Sequence, residues 1–568
     1  MKNKIKYIIS ILILCAVVYK GYTHVMAAEY INKNETVENQ DSLWQEIIAG
    51  SINSKTIQLR IDGVNIVLKK GKIYMDKTMN MMVPLSVVTE AIDCAVDVYS
   101  DNSIIIERGN NRIDMTLDSN IISINQIVEE ITTPPVKRGS VIYIPLNYIL
   151  KAFGYSYSFD ISENIATVIN ETPQERSLPY AYCYTDYGKV GEIKNQGYFG
   201  TCWATSALSA LESSLLPLEK YSFAVDHMSI NNSFKLSQYD GGDYLMAIAY
   251  LAAWQGPVLE NDDPYGDGVS DNSLKAVKHV QEAQILPPKD FETIKKMVYK
   301  YGGVSTSIYT SLNDSYGRSK YYNKETASYC YIGEEKSNHE VVIVGWDDNY
   351  PKENFNAELE GNGAFICQNS WGKEFGMNGL FYVSYYDANI GIHNVVYTGT
   401  EPTDNYDNIY QSDLCGWRGN LGYDKESAYF ANVYKAVDDE KLSAVSFYAT
   451  DVDTYYEIAV CSDYKDIGSL DKERQVLASG MLKYSGYYTI DLDREVKLKK
   501  GNKFAIVMYI STPNATRPIA VELATDAKSA AVDLSDGEGY ISYTGAYWDR
   551  VEEKYQCNLC LKGFTKIK

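Results

Sequence analysis

Two residues able to do nucleophilic and proton-transfer chemistry, Cys202 and His339, lie in distinctive local patterns. Cys202 follows a glycine-containing turn that begins at Asn195, and it opens a segment with leucines at helical spacing that runs to about Leu216. The pattern predicts that Cys202 lies in the first turn of a buried helix, where the helix dipole favours the thiolate. A thiolate attacks carbonyl carbon, so the pattern indicates nucleophilic catalysis, with a merely packed cysteine as the alternative.

Thiol catalysis also needs an imidazole that exchanges a proton with the sulfur. The chain has five histidines, and His339 begins an apolar, strand-like stretch over residues 341–346 that would fix its ring. A structural role is the alternative for any lone histidine. We interpret the other four as lying at the signal boundary, in helices or in loops, with no strand leading from them: His24, His227, His279 and His393.

Three further residues could complete such a site. Asn369 follows a predicted strand over residues 363–368 and could accept the imidazole N–H, which would hold its tautomer. Trp371 could shield that hydrogen bond from water. Gln196, six positions before Cys202, could donate its side-chain amide to a developing oxyanion, together with the Cys202 backbone N–H.

Taken together these residues resemble the papain family of cysteine peptidases, from about Leu178 to Ala388. The resemblance implies a helical left lobe, a β-barrel right lobe and a cleft between them. It implies four roles: nucleophile Cys202, general acid/base His339, orienting Asn369 and oxyanion donor Gln196. The matching stretches are Leu178-Pro179, Lys194-Asn195-Gln196-Gly197, Cys202-Trp203, Asn338-His339 and Asn369-Ser370-Trp371-Gly372.

The same resemblance implies a substrate-binding set. Gly241 and Gly242 stand where the family has a glycine pair that lets peptide backbone approach closely. Glu340 stands where a small residue is common near the second specificity pocket, so it would either favour basic side chains there or point to solvent. The residues beside the histidine and the asparagine, Asn338 and Trp371, complete the set.

Two departures from the family pattern lie beside the nucleophile. Phe199 replaces a cysteine that the family pairs in a disulfide, so that covalent link is missing, and Thr201 replaces a smaller residue. The family's zymogens also carry a helical propeptide upstream, and no long helical pattern is visible there. Any latency should therefore have a different origin from that of the plant and lysosomal enzymes.

Length and charge limit the function classes. A chain of 568 residues is too long for one core, and a net charge of -21 argues against nucleic acid or an anionic membrane as the main partner. A basic start, an apolar run over residues 7–19 and small residues at 25–28 predict a signal peptide over residues 1–28, with an uncleaved anchor as the alternative. No other stretch has transmembrane length, so no membrane span is expected after signal removal.

Residues 58–170 contain an internal repeat in which a short helix after a proline precedes a β-hairpin, twice. The repeat resembles the N-terminal domain of copper amine oxidases. No histidine lies between His24 and His227, so a histidine-ligated copper centre cannot be built from it. We interpret the module as a spacer or attachment domain, which leaves cell-envelope polymers open as partners.

Residues 401–568 are rich in short strand patterns, which favours a β-sandwich. The segment looks like the lectin-like domain that follows papain-type domains in some bacterial surface peptidases. That resemblance leaves glycan binding and a structural calcium open, and acidic turn residues such as Asp451 and Asp453 are too ordinary to be assigned as ligands. The lone pair Cys557 and Cys560 is interpreted as packing rather than as a zinc site.

The sequence thus predicts a multidomain α+β protein with a papain-like peptidase domain at residues 178–400. The favoured function is an exported bacterial thiol endopeptidase, extracellular or on the cell surface, that acts on proteins or peptides. That chemistry requires no metal or organic cofactor. Two alternatives stay open: a catalytically silent surface adhesin, and a thiol acyltransferase or amidase that acts on cell-wall components.

Overall fold

The computed structural model describes residues 49–50, 52–68, 70–172, 177–310, 319–472, 474–525 and 532–567. The predicted signal peptide at residues 1–28 lies outside this part. Within it, every helix is too short or too polar to cross a lipid bilayer. The chain divides into two compact units. One holds the described residues up to 66 with Lys70–Leu85 and Glu130–Glu171, and the other holds Val67–Lys69, Ser86–Glu129 and the rest from Thr172.

The first unit is built from two four-stranded sheets and the helix Leu146–Ala152. Its core is formed by apolar side chains that alternate along the strands, such as Leu59, Ile61, Ala166 and Val168. In sheet order, the strands of the two sheets are Tyr155–Asp160, Ile165–Asn170, Gln58–Ile61 and Val64–Ile66, and then Val136–Arg138, Val141–Pro145, Met81–Pro84 and Tyr74–Met75.

The predicted repeat is confirmed in its local structure. Pro84 precedes the helix Leu85–Ala91, which leads into an antiparallel hairpin, and Pro145 precedes the helix Leu146–Ala152, which leads into another. Proline suits the start of a helix because its missing N–H would have no partner there. The first hairpin belongs to a five-stranded sheet of the second unit: Ala95–Val98, Ser103–Arg108, Asn111–Thr116, Ile121–Ile124 and Ile127–Glu130.

This five-stranded sheet is fixed to the peptidase region by ion pairs, which the sequence did not predict. Asp97 Oδ1 lies 2.8 Å from Lys189 Nζ, and the two side chains are 5% and 3% exposed. Asp93 lies 3.0 Å from Lys300, at the end of the helix Phe291–Lys300. Half of the repeat is therefore packed on the peptidase region.

The helices of residues 178–400 carry the first wall of the site. Cys202–Leu215 is almost wholly buried, because its small and apolar residues face neighbours on all sides. Cys202 is its first residue, which confirms the helix prediction. The other helices of this region are Val225–Ile230, Tyr244–Ala252 and Phe291–Lys300, with 3-10 turns at Tyr184–Tyr187 and Lys352–Asn354.

The strands of the same region carry the second wall. His339 is the first residue of the strand His339–Asp347, as predicted, and this strand pairs with Val304–Ile308 and Ala364–Gln368. The pairing of the described strands is an open path rather than a closed ring. In path order the strands are Tyr322–Asn323, Ser328–Tyr329, Leu380–Ser384, Ala364–Gln368, His339–Asp347, Val304–Ile308, Asn394–Glu401 and His279–Ile285, with Ala181–Cys183 beside His339–Asp347.

The path continues into the C-terminal region, because His279–Ile285 also pairs with Ser485–Leu498. There the strands form two sheets that share an apolar core, as a sandwich requires. Cys557 and Cys560 are buried and free, in keeping with the packing interpretation. The helices are Ser469–Lys472 and Val551–Lys554, and the strands are Asn408–Tyr410, Gly419–Leu421, Ser427–Lys435, Glu440–Ala449, Thr454–Cys461, Gln475–Leu482, Ser485–Leu498, Lys503–Ser511, Ile519–Glu522, Gly539–Ser542, Asp549–Arg550, Asn558–Leu559 and Leu561–Lys566.

Candidate active site

The Cys202 helix and the His339 strand are tied directly together. One helical turn after Cys202, the Ser206 hydroxyl donates to the Val341 carbonyl at 2.9 Å and lies 2.8 Å from the Ser305 hydroxyl. At the helix start, the Glu340 backbone N–H is close enough to the Cys202 sulfur to lower the pKa of the thiol, against the rise that burial causes. The sulfur therefore lies against the peptide that joins His339 to Glu340.

His339 and Asn369 form the central hydrogen bond of the site. His339 Nε2 lies 2.8 Å from Asn369 Oδ1, and both residues are buried. The Ser370 backbone N–H donates to the same Asn369 atom at 2.8 Å, so that atom must be the amide oxygen. An oxygen there can only accept, so Nε2 carries the proton and Nδ1 is left as a base.

Trp371 covers this hydrogen bond. Its ring stacks on the His339 imidazole, with centroids 4.8 Å apart and an angle of 26° between the planes. The Trp371 backbone pairs with that of Asn195, which anchors the turn before the Cys202 helix to the asparagine side of the site. The structure therefore places Trp371 where the sequence suggested, as a shield against water.

Gln196 is buried beside the same hydrogen bond. Its Nε2 donates to the Phe199 carbonyl at 2.8 Å, and its Oε1 accepts from the Ser370 hydroxyl. The Gln196 backbone N–H donates to the Ser370 carbonyl at 2.8 Å. One of the two amide hydrogens is thus used within the turn, and the other is left for an oxyanion.

Burial dominates the proton equilibria of the nucleophile and the imidazole. It raises the pKa of Cys202 to about 11, aided by the Glu340 carboxylate, and it lowers the pKa of His339 to about 4. Desolvation thus acts against the thiolate that the helix dipole was expected to favour, and the backbone N–H groups of Glu340, Trp203 and Cys202 act for it. A proton transfer from the sulfur to the imidazole would create two opposite charges together, which burial opposes less than either charge alone.

The two glycines of the predicted substrate-binding set are required by close backbone approaches. A methyl group on Gly242 would come within 2.5 Å of the Trp203 ring. A methyl group on Gly200 would come within 2.9 Å of the Gly241 nitrogen, and Gly241 itself has a φ of 70°. The glycine pair therefore lies against the start of the Cys202 helix, as an edge of the cleft must.

The Asn338 side chain is hydrogen-bonded to the backbone of Thr310. Its Oδ1 accepts from the Thr310 N–H at 2.7 Å and its Nδ2 donates to the Thr310 carbonyl at 3.1 Å. Glu340 is different, because it is buried and its carboxyl group acts to raise the pKa of the Cys202 thiol. Of the two residues that flank the histidine, Glu340 is thus the one that faces the nucleophile.

Two histidine interpretations were wrong. His279 begins the strand His279–Ile285, and the strand Asn394–Glu401 starts directly after His393. The strand His279–Ile285 contains several Glu and Gln residues, so no apolar pattern revealed it. It is buried because a neighbouring strand pairs with each of its edges. The strand Asn394–Glu401 could have been predicted from its apolar run Val395-Val396-Tyr397.

His393 is also a residue of the site region that the sequence reasoning missed. Its Nδ1 lies 3.3 Å from the Ser307 hydroxyl, and its ring lies 5.4 Å from that of Tyr244. Ser307 is paired in register with Glu340. Burial lowers the pKa of His393, so this imidazole is neutral at neutral pH.

The described part of the chain contains nine cysteines, none of which forms a disulfide bond. It contains no group of three or more His, Cys, Asp or Glu side chains that could hold a metal ion. Apart from Cys183, the free cysteines other than Cys202 are buried.

Three sequence families match the chain, each in its own segment. Residues 178–400 match the family described as papain family cysteine protease. Residues 60–168 match the copper amine oxidase N-terminal domain, and residues 409–565 match the lectin-like domain. The order of the three resemblances along the chain is therefore confirmed.

Solved structures of a cysteine protease are similar to this chain over the larger part of its length. The structure of a clostridial cysteine protease, Cwp84, after propeptide cleavage is 29% identical, with a TM-score of 0.61, over 68% of this chain and 99% of that one. The cysteine protease and lectin-like domains of Cwp84, a surface layer associated protein of Clostridium difficile, are 29% identical, with a TM-score of 0.60, over 69% of this chain and 90% of that one.

Mouse cathepsin K is 27% identical over 216 residues, which are 37% of this chain and 60% of cathepsin K. The chain thus spans less than two thirds of the length of that relative. Together with the matches to Cwp84, this similarity identifies residues 178–400 as a cysteine peptidase domain of the papain type.

Proposed function

We propose that this papain-type cysteine peptidase is a thiol endopeptidase that hydrolyses peptide bonds through an acyl-enzyme on Cys202. The observation that carries the proposal is the hydrogen bond from His339 Nε2 to Asn369 Oδ1, which leaves Nδ1 as a base on the strand that meets the Cys202 sulfur. Hydrolysis of a peptide bond by a thiol uses this combination of nucleophile, base and orienting group.

The proposed first step transfers the thiol proton of Cys202 to His339 as the sulfur attacks the scissile carbonyl carbon. The negative charge moves to the carbonyl oxygen, where the Cys202 backbone N–H and the remaining Gln196 amide hydrogen donate to it. The intermediate then collapses, the C–N bond breaks, and the imidazolium gives its proton to the departing amine.

The second step returns the enzyme to its starting state. His339 takes a proton from a water molecule, whose oxygen attacks the thioester carbon, and the C–S bond breaks as the sulfur regains a proton. No metal or organic cofactor enters this sequence. An acyltransferase would follow the same first step and differ only in the acceptor.

A peptide assay with an added amine acceptor tests the proposal. We expect the wild-type protein to release the free carboxylic acid and Cys202→Ala to release neither acid nor amide. Formation of the amide as main product would favour the acyltransferase alternative. No turnover by folded wild-type protein on any unstructured polypeptide would favour the silent adhesin.

We place the enzyme outside the cell or on its surface, as a bacterial protein exported through the signal at residues 1–28. The support is the similarity to Cwp84, which is described as a surface layer associated protein with a lectin-like domain. Protein or peptide substrates, with cell-envelope polymers or glycans as further partners, fit that location. Detection of the mature N-terminus in the culture medium or cell-wall fraction would test it.

A structural calcium ion in the C-terminal domain remains a proposal, and one feature fits it. The side-chain oxygens of Asn432 and Asn558 are buried and have no hydrogen-bond partner among the described residues. Both lie beside Gly537 and Gly539, close to the Glu552 carboxylate. Oxygen donors of these types suit calcium. Calcium should raise the thermal midpoint of the chelator-treated protein, and Asn558→Leu should abolish that increase.

A further inference from the structure

A tyrosine outside the catalytic set, Tyr265, contacts both sides of the turn before the Cys202 helix. Its hydroxyl donates to the Gln196 backbone carbonyl at 2.9 Å, and it lies 2.7 Å from the Thr201 hydroxyl. A tyrosine hydroxyl has one hydrogen and a carbonyl can only accept, so the Thr201 hydroxyl is the donor in the second hydrogen bond. One phenol oxygen thus joins Gln196 to the residue directly before Cys202.

The two residues that Tyr265 joins determine where the two oxyanion donors lie. Gln196 carries the side-chain amide. Thr201 is fully buried and caps the helix that begins at Cys202, and its carbonyl accepts from the Thr205 N–H at 2.9 Å. The position of the Cys202 N–H therefore follows that of Thr201. The distance between the two donors depends on how the turn between Gln196 and Thr201 is closed, and the Tyr265 hydroxyl spans that turn.

Tyr265 is anchored by hydrogen bonds of its own segment. Its backbone N–H donates to the Glu260 carboxylate at 3.0 Å. The next N–H, that of Gly266, donates at 2.7 Å to Oδ2 of Asp226, whose side chain is fully buried. The hydroxyl is therefore presented to the turn by a segment that is fixed elsewhere in the domain.

The turn is held without a covalent link. None of the described cysteines forms a disulfide bond, and Phe199 occupies the position of the cysteine that papain-type enzymes pair. The Phe199 ring instead lies 5.1 Å from the Tyr239 ring and meets the Tyr265 ring edge-on at 6.1 Å. Hydrogen bonds weaken steeply when their geometry changes, so the Tyr265 hydroxyl adds a directional constraint to these ring contacts.

We propose that Tyr265 is a positioning residue that sets the separation of the two oxyanion donors, the Gln196 side-chain amide and the Cys202 backbone N–H. The inference rests on the proposed function and adds a residue to it. Burial raises the pKa of Tyr265 to about 12, so the hydroxyl keeps at neutral pH the proton that it donates to Gln196.

Tyr265→Phe tests the inference, because it keeps the ring and removes only the hydroxyl. We expect kcat for a peptide substrate to fall at least about tenfold with little change in KM, since an oxyanion donor acts in the transition state. Alkylation of Cys202 by iodoacetamide should keep its wild-type rate, because attack at a saturated carbon creates no oxyanion. A variant that is damaged in general would lose both reactions together.

Two further measurements separate positioning from a structural role. Tyr329→Phe is the matched control, since the Tyr329 hydroxyl is buried and donates to the Tyr309 carbonyl at 2.8 Å in another part of the domain. It should keep the wild-type kcat. In a Gln196→Ala background, where the amide to be positioned is absent, Tyr265→Phe should lower kcat by a much smaller factor than in the wild type.

Thr201→Val provides a second variant, because it removes the hydroxyl that donates to Tyr265 and keeps the branched shape. It should also lower the ratio of peptide cleavage to alkylation, whereas Thr201→Ser should restore it.

The outcomes distinguish this inference from the proposed function. A wild-type kcat in Tyr265→Phe, or an equal loss of cleavage and alkylation, would overturn the inference while the peptidase assignment stands. If Tyr265→Phe does not fold, Thr201→Val decides, and an unchanged ratio of cleavage to alkylation overturns the inference. If the wild type neither cleaves peptides nor reacts at Cys202, the proposed function itself fails.

Discussion

Two buried glutamates of the same domain, Glu212 and Glu340, have different surroundings. Glu212 is fully buried within the Cys202 helix, and its Oε1 lies 3.0 Å from Lys194 Nζ and accepts from the Phe223 N–H at 2.7 Å. Burial raises its pKa to about 7, and Lys194 opposes that rise. Glu340 is buried nearly as deeply, and no cation opposes the rise in its pKa to about 8.

The difference lies in the partner of the buried carboxyl group. A buried carboxylate that has its own cation holds parts of the chain together, as Glu212 joins the helix to the turn before Gln196. A buried carboxyl without a cation has only its hydrogen bond from the Ser305 hydroxyl to offset the cost of burying it. The same substitution at the two positions should therefore have opposite effects on stability.

The largest effect is expected for Glu212→Gln. The change leaves the Lys194 ammonium buried without its counter-charge, which costs about 3–5 kcal/mol of unfolding free energy. The denaturation midpoint of the peptidase domain should fall accordingly, while Glu340→Gln should leave it unchanged or raise it. A similar loss in both variants would contradict the comparison.

Asp97→Ala should have the next largest effect, since it leaves Lys189 uncompensated where the five-stranded sheet meets the peptidase region. The side chains are 5% and 3% exposed, so we expect a loss of about 3 kcal/mol in unfolding free energy. Cleavage per folded molecule should not change, because the pair takes no part in the site. Greater activity in this variant would instead indicate that the repeat module inhibits the enzyme.

The pH dependence of stability should also differ between the wild type and Glu340→Gln. Because burial raises the pKa of Glu340 from 4.5 to about 8, the folded protein holds a proton between these values that the unfolded chain has released. Glu340 therefore lowers stability progressively as pH rises through that window. Glu340→Gln should flatten the fall of the thermal midpoint there, and identical pH profiles for both proteins would count against the buried, unpaired state.

The sequence was sufficient for elements with strong local signals. The Cys202 helix and the His339 strand begin at the predicted residues, because leucine periodicity and an apolar run are local properties. The repeat of helix and hairpin was visible for the same reason. The open path of strand pairs could not be predicted, because pairing depends on contacts between distant segments.

The rest of the site depends on its three-dimensional environment. The pKa of Cys202 could not be anticipated from the sequence, since it depends on how deeply the folded chain buries the sulfur. His393 was missed because its neighbours Ser307 and Tyr244 come from distant segments. The ion pair between Asp97 and Lys189 was equally invisible, because neither residue stands out in its own segment.

Reaction with a thiol-directed epoxide, read out by mass spectrometry, tests the central claim most directly. Cys202 is partly exposed and passes its proton to His339 in the proposed mechanism, whereas the other described cysteines, apart from Cys183, are buried. We predict one modification per molecule, located at Cys202, and its loss in His339→Ala. Modification at Cys183 instead, or an unreactive Cys202 in the folded wild type, would contradict the account.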